Sequence, residues 1–143
     1  MTWATPKTNW AASWDQDDNY TGDYFNVSDY NRITGNMVIL QELALEVFGE
    51  NISRSYTEID RFSFYRATDI NKIEDTLEDL YNRVIALDIG TNNTYSGNQP
   101  FPDADEWNRI ESAQLAYYNM FQATKSIQYR LSFNLGRPTL GNR

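Results

Sequence analysis

The residues of this chain with the most obvious chemical potential are acids. Asp15-Gln16-Asp17-Asp18-Asn19 opens like a calcium loop, supplying carboxylate and amide oxygens, the hard ligands that calcium and magnesium take. An EF-hand then requires glycine at the sixth place and glutamate at the twelfth; here those places hold Tyr20 and Asn26. A second acidic group, Asp103, Asp105 and Glu106, is explained by helix capping without a metal. Glycoside hydrolysis needs two carboxylates in contrasting environments, and among 20 acids no pair is marked out by spacing. Histidine and cysteine are both absent, which removes the commonest general base and metal ligand together with disulfides and zinc thiolates. No phosphate loop, nucleophile elbow or zinc helix is written in the chain. The expectation is a protein that is not an enzyme and that carries no metal and no cofactor.

What does recur is a five-residue phrase: acid, large apolar residue, Asn, base, Ile. It reads Asp29-Tyr30-Asn31-Arg32-Ile33, Asp69-Ile70-Asn71-Lys72-Ile73 and Glu106-Trp107-Asn108-Arg109-Ile110, with starts 40 and then 37 residues apart. Ser28, Thr68 and Asp105 stand just before the acid, and Tyr24, Phe64 and Phe101 stand six residues before the central apolar residue. This is the signature of a divergent internal repeat. Two readings of Asn31, Asn71 and Asn108 with Arg32, Lys72 and Arg109 stand side by side: a polar flank on which Asn bonds the backbone of the preceding loop, or a ligand site present three times.

Each phrase should open a helix. Ser28, Thr68 and Asp105 offer side-chain acceptors to first-turn N–H groups. Asp29, Asp69 and Glu106 put negative charge at the positive end of the helix dipole, and Asp103 with Glu106 has capping-box spacing. Apolar residues then follow at steps of three and four: Tyr30, Ile33, Met37, Leu40, Ala44 and Val47, and again Ile70, Ile73, Leu77, Leu80, Val84 and Leu87. The third set, Trp107, Ile110, Gln114, Tyr117, Phe121 and Thr124, contains two polar members, which points to a turned or more peripheral helix. With Gly49 and Gly90 as stops, the spacing predicts helices over 28–48, 68–89 and 104–125. Such amphipathic helices must pack together, and the connecting segments are longer than an antiparallel helical hairpin uses. Parallel and antiparallel packing both remain open.

The two ends differ from the middle. Residues 1–23 form an arm in which Trp3, Trp10 and Trp14 stand among polar residues; it either folds back on the bundle or docks on another chain, for which Trp is a typical anchor. Near the other end Ile127, Tyr129, Leu131, Phe133 and Leu135 alternate with Gln128, Arg130, Ser132 and Asn134, the period of a strand. Its partner would be the stretch around 56–65, where Phe62 and Phe64 alternate with polar residues, or a strand of another molecule. The expected fold is thus mainly α: a three-helix bundle built from a divergent internal repeat, with an extended N-terminal arm and a C-terminal β-strand. Its expected divisions are 1–23 for the arm, 24–125 for the helical domain and 126–143 for the strand and tail.

Composition narrows the class. A net charge of −8 and a pI near 4.4 argue against nucleic acid, which requires a basic face, and against anionic membranes. No apolar run approaches the ~20 residues of a membrane span, and the first residues lack a signal peptide's charged start and apolar core, so synthesis in a cytoplasm is expected. Aromatic residues make up 15% at a mean hydropathy of −0.66, a mixture that suits sugar-binding faces and wet protein interfaces.

Three of these phrases resemble short virion proteins of phages that infect Gram-positive bacteria. They are Pro6-Lys7-Thr8-Asn9-Trp10, Phe25-Asn26-Val27-Ser28-Asp29-Tyr30-Asn31-Arg32-Ile33 and Asp105-Glu106-Trp107-Asn108-Arg109-Ile110-Glu111. The resemblance implies a structural protein of the tail, baseplate or fibre region, located in the virion and present in several copies. Its partners would be other virion proteins and copies of itself, and it would serve as an adaptor or connector that assembles through its termini. The alternative is a receptor- or carbohydrate-binding module for a bacterial surface glycan, with sugars stacking on Trp107 or on Tyr56, Tyr65 and Tyr95.

Overall fold

Three phrases start three helices in the computed structural model, which describes residues 2–60, 65–97 and 101–135, with 133–135 as backbone only. Helix α1 spans Val27–Phe48, α2 spans Ala67–Asp79 and continues as a π-helical turn over Leu80–Val84, and α3 spans Ala104–Leu135. The protein is mainly helical and the three helices pack together. The caps lie slightly upstream of the expected residues. Asn26 caps α1: its Oδ1 accepts from Asp29 N–H at 3.2 Å while Asp29 Oδ2 accepts from Asn26 N–H at 3.0 Å. Asp69 Oδ2 accepts from Arg66 N–H at 2.7 Å, and Asp103 Oδ1 accepts from Glu106 N–H at 2.9 Å. Asp29 and Asp69 therefore act by reaching back one turn, and Ser28 and Thr68 are inside the helices rather than at their caps.

The seams form the core. All six apolar residues of the first seam are buried, as are Ile70, Ile73, Leu77 and Leu80 of the second. The third helix is not peripheral, contrary to the expectation from its two polar members: Trp107, Ile110, Tyr117 and Phe121 are buried, and Gln114 is 0% exposed. Gln114 enters the core because its amide donates to Ile33 O at 2.8 Å, across to α1.

The helices run parallel. Contacts from α1 to α3 keep a nearly constant sequence offset: Arg32 to Glu111 is 79 residues, and Ile33 to Gln114 and Val47 to Gln128 are each 81. Between α2 and α3, Glu74 meets Arg109 near the start and Ile85 meets Tyr117 further on. Each connection must therefore bring the chain back along the bundle, which is why the connections are long. Residues 49–60 lie between α1 and α2, touching Gln41 through Arg54 and then Asn31 through Ile59. Residues 85–97 lie between α2 and α3, from Tyr117 back to Asn71. The N-terminal arm fills the remaining groove between α1 and α3, with Ala4 on Asn36, Trp3 stacked at 4.0 Å on Tyr118 and Trp10 at Asn108. Three helices thus enclose a core, and three returning segments fill the three grooves.

Two stops differ from expectation. Gly49 ends α1 with φ 71°, its N–H bonded to Leu45 O at 3.0 Å. Gly90 does not end α2, which finishes at Val84 before extended Ile85. Its φ is 72°, and a Cβ there would lie 2.6 Å from Arg109 Cδ. The glycine serves the close passage of the returning segment over Arg109.

The expected C-terminal strand is helix. Over Ile127, Tyr129 and Leu131 α3 continues without interruption to Leu135. No Gly or Pro stands between Phe121 and Leu135 to stop it. A strand would need a partner ladder, and among the described residues the only β pairing is an isolated bridge between Trp14 and Tyr20. A helix satisfies its own backbone, so a lone alternating segment extends the helix already formed. Residues 61–64, including Phe62 and Phe64, lie outside the described residues, as do the side chains of Phe133 and Leu135 and all of 136–143. The arm is not simply extended either: around the Trp14–Tyr20 bridge it makes a tight turn in which Asp15 Oδ1 accepts from the N–H groups of Asp17 and Asn19 at 2.8 and 2.9 Å.

Candidate functional site

The phrase residues gather in a ring around the starts of the helices. Each asparagine clamps one returning segment by the same two bonds. Asn31 donates to Ile59 O at 2.7 Å and accepts from Ile59 N–H at 3.0 Å. Asn71 does the same to Tyr95 at 2.9 and 2.7 Å. Asn108 does the same to Trp10 at 2.8 and 2.6 Å. A planar amide matches one residue's C=O and N–H together, and those groups have no sheet to pair with. The partner is loop backbone, as the flank reading expected, but Asn31 and Asn71 hold the segment that follows their helix, not the one that precedes it. Asn108 holds the arm that leads to α1.

Arg32 and Arg109 are not on a solvated flank, whereas Lys72 is exposed as the flank reading expected. Arg32 spans Asp29, with Nη1 to Oδ1 at 2.7 Å, and Glu111, with Nε to Oε1 at 2.8 Å and Nη2 to Oε2 at 2.9 Å. Glu111 is 0% exposed and also accepts from Lys7 N–H at 3.0 Å and from the Trp10 indole N–H at 2.6 Å. Four donors on one carboxylate are what allow it to be buried. Arg109 makes the matching arrangement with Glu106 and Glu74, and Glu74 Oε2 accepts from Asn93 N–H at 2.7 Å. Desolvation alone would lower the pKa of both guanidiniums; their carboxylate partners outweigh it and raise them. Burial pushes the Glu74 carboxyl upward against the pull of Asn93 and Arg109. Lys72 makes neither contact and only donates to Ser55 O at 3.4 Å.

The three clamp amides, both guanidiniums and their carboxylates are all bonded to other parts of the chain. Their chemistry in this arrangement is that of a fastening. Among the described residues no group of acids is arranged to hold a metal. The carboxylate of Asp15, the leading calcium candidate, is taken by its own turn, and those backbone bonds lower its pKa. No described helix is long and apolar enough to cross a membrane. Of the aromatic residues considered for sugar stacking, Trp107 is 3% exposed and lies at 4.0 Å on Phe25, while Tyr65 stacks at 5.2 Å on Tyr30. Trp107 therefore offers no face to a ligand, and Tyr56, Tyr65 and Tyr95 are only half-exposed.

The proposed interface residues separate into two groups. Trp10 is buried and Trp3 half-buried against the bundle, so both fold back, whereas Trp14 is 62% exposed at the turn. Ile127, Tyr129 and Leu131 are all exposed, Tyr129 at 74%. They lie on the part of α3 that overhangs the end of α1, fastened to it only by Lys125 to Glu46 at 2.9 Å and Gln128 to Val47 O at 3.0 Å. Sequence reasoning passed over a signal here. All 20 acids lie at or before Glu111; beyond it the charged residues are Lys125, Arg130, Arg137 and Arg143. Charge asymmetry of this kind marks an interaction segment. Comparison of the chain with family models, curated proteins and solved structures finds no match.

Proposed function

We propose that this chain is a structural part of a phage virion, a multi-copy adaptor or connector of the tail, baseplate or fibre region that works without catalysis or cofactor. The virion setting rests on the likeness of the arm and of the helix-start phrases to such proteins. The assembly role rests on one observation: α3 runs past the bundle and presents Ile127, Tyr129 and Leu131 to solvent. A helix end with exposed apolar residues and few contacts to its own body is suited to a neighbour. The three phrases are copies of one divergent unit, each contributing a helix, an asparagine clamp and a returning segment. The repeat builds a rigid body, and the overhang does the joining.

The test is the solution mass by light scattering, intact and with residues 127–143 removed. Among the described residues the truncation removes the Gln128 bond to Val47 O and no buried side chain, so the body should remain folded by circular dichroism. A defined oligomer for the intact protein and a folded monomer for the truncation are expected. Two monomers would overturn self-assembly through this end.

A further inference from the structure

Resting on the adaptor reading, we infer that the overhang of one copy docks in an acidic groove on a second copy, giving a head-to-tail contact. The groove is an open depression of about 690 Å³ beside the π-helical turn, lined by Glu78, Tyr81, Asn82, Leu87, Asp88 and Asn92 among others. Glu78, Tyr81 and Asp88 are exposed, and neither carboxylate takes part in an ion pair among the described residues. The turn itself contributes to the shape: a π-helical turn displaces side chains from the α-helical register, and Tyr81 and Asn82 lie on it.

Charge selects the occupant. Residues 1–111 hold 8 bases and 20 acids, a net of −12, whereas residues 112–143 hold 4 bases and no acid. The overhang is therefore the basic end of an otherwise acidic molecule, and Arg130 has no ion-pair partner among the described residues. Ile127 and Leu131 are one helical turn apart and form a short apolar stripe, matched to the Tyr81 and Leu87 walls, with Arg130 available to Glu78 and Asp88. A twofold pairing of overhang with overhang would bring like charges together, which interfaces avoid. The overhang does not serve its own groove, because α3 carries it past the end of α1 while the groove follows the chain back from Leu87 toward Asn92. A contact between two different patches is heterologous and closes into a ring or extends as a stack.

The experiment is sedimentation velocity at low and high salt on the intact protein, on Arg130→Glu, on Glu78→Lys and on an equimolar mixture of the two variants. Both positions are exposed, so both variants should fold. The intact protein should associate, less so at high salt, and each variant alone should associate at least about tenfold more weakly. The mixture should recover association to about the extent of the intact protein, with the two variants alternating, because the exchanged pair and the original Arg130–Glu78 pair both join opposite charges. An oligomer unaffected by either variant, or a mixture that associates no better than the variants alone, overturns this contact while the adaptor reading stands. An intact protein that is monomeric at low salt overturns this contact together with self-assembly through this end.

Discussion

The junctions of α3 with its two neighbours differ from the junction between α1 and α2. At α1/α3 Arg32 meets buried Glu111, and at α2/α3 Arg109 meets buried Glu74. Going round the ring in the same sense, the α1/α2 positions are Lys72 and Thr34, each three residues or one residue from the clamp asparagine as in the other phrases. Among the described residues Lys72 and Thr34 form no ion pair; Tyr56 of the returning segment bonds Lys72 O and Thr76 Oγ1 instead, and a cavity of about 210 Å³ lies beside Thr34, Asn31 and Tyr56. The asparagine clamp occurs at all three junctions. The clamp is thus the common fastening and the buried pair an addition at two places. Both members differ together at the third, as they must: a buried charge without its partner is far costlier than no pair at all.

Several changes would break or sharpen this contrast. The largest effect is expected from Glu111→Ala, which strands the Arg32 guanidinium and the Trp10 indole; about 3–5 kcal/mol should be lost in urea unfolding. Next comes the alkaline limb. Tyr30 sits at the α1/α2 junction, and burial, then the charge of Asp69, push its hydroxyl up to about 12. The unfolded chain ionises this group near 10, so stability should fall as pH rises from about 10 to 12, by roughly 2–3 kcal/mol from this residue. Tyr30→Phe should flatten that limb, and an unchanged slope would remove Tyr30 from the account. Asn31→Ala, Asn71→Ala and Asn108→Ala should each cost about 1–3 kcal/mol, by leaving one N–H and one C=O unpaired. Their similarity is the informative result, and hydrogen exchange should quicken at Ile59, Tyr95 and Trp10 respectively. Installing the missing pair is a subtler test: Thr34→Glu should destabilise, and adding Lys72→Arg should restore about 1 kcal/mol or more in a double-mutant cycle. The smallest effect, within about 0.5 kcal/mol, belongs to Lys72→Ala; a loss comparable to that of Glu111→Ala would abolish the contrast.

The parts of this fold that were legible in the sequence are those governed by local spacing. The three-and-four steps from Tyr30 to Val47 and from Ile70 to Leu80 placed the core, and the acids of the phrases marked the helix starts. What escaped was set by partners distant in sequence. Glu111 and Glu74 read as ordinary helix acids, since nothing local says that an arginine 79 or 35 residues away will bury them. Gln114 looked like a breach in the seam because its acceptor, Ile33 O, belongs to another helix. The alternation from Ile127 to Leu131 suggested a strand because period alone carries no information about whether a ladder partner exists. Of the candidate interface residues at the C-terminal end, Ile127, Tyr129 and Leu131 are exposed, but on a helix and not on the expected strand, and the charge partition that distinguishes this end was overlooked.

The clamp of Asn108 on Trp10 spans 98 residues, and this has a consequence for the order of events in synthesis. The arm leaves the ribosome well before α3 yet is among the last segments to find its place, because its groove does not exist until α3 has been made. Until then Trp3 and Trp10 are sticky surface on a nascent chain, a natural target for a chaperone. Closing contacts of such range are also the slow ones in folding, so the burial of Trp10, followed by its fluorescence, should report the final step, after α1 and α2 have become protected. A Trp10 signal that settles before α3 acquires protection would contradict this sequence of assembly.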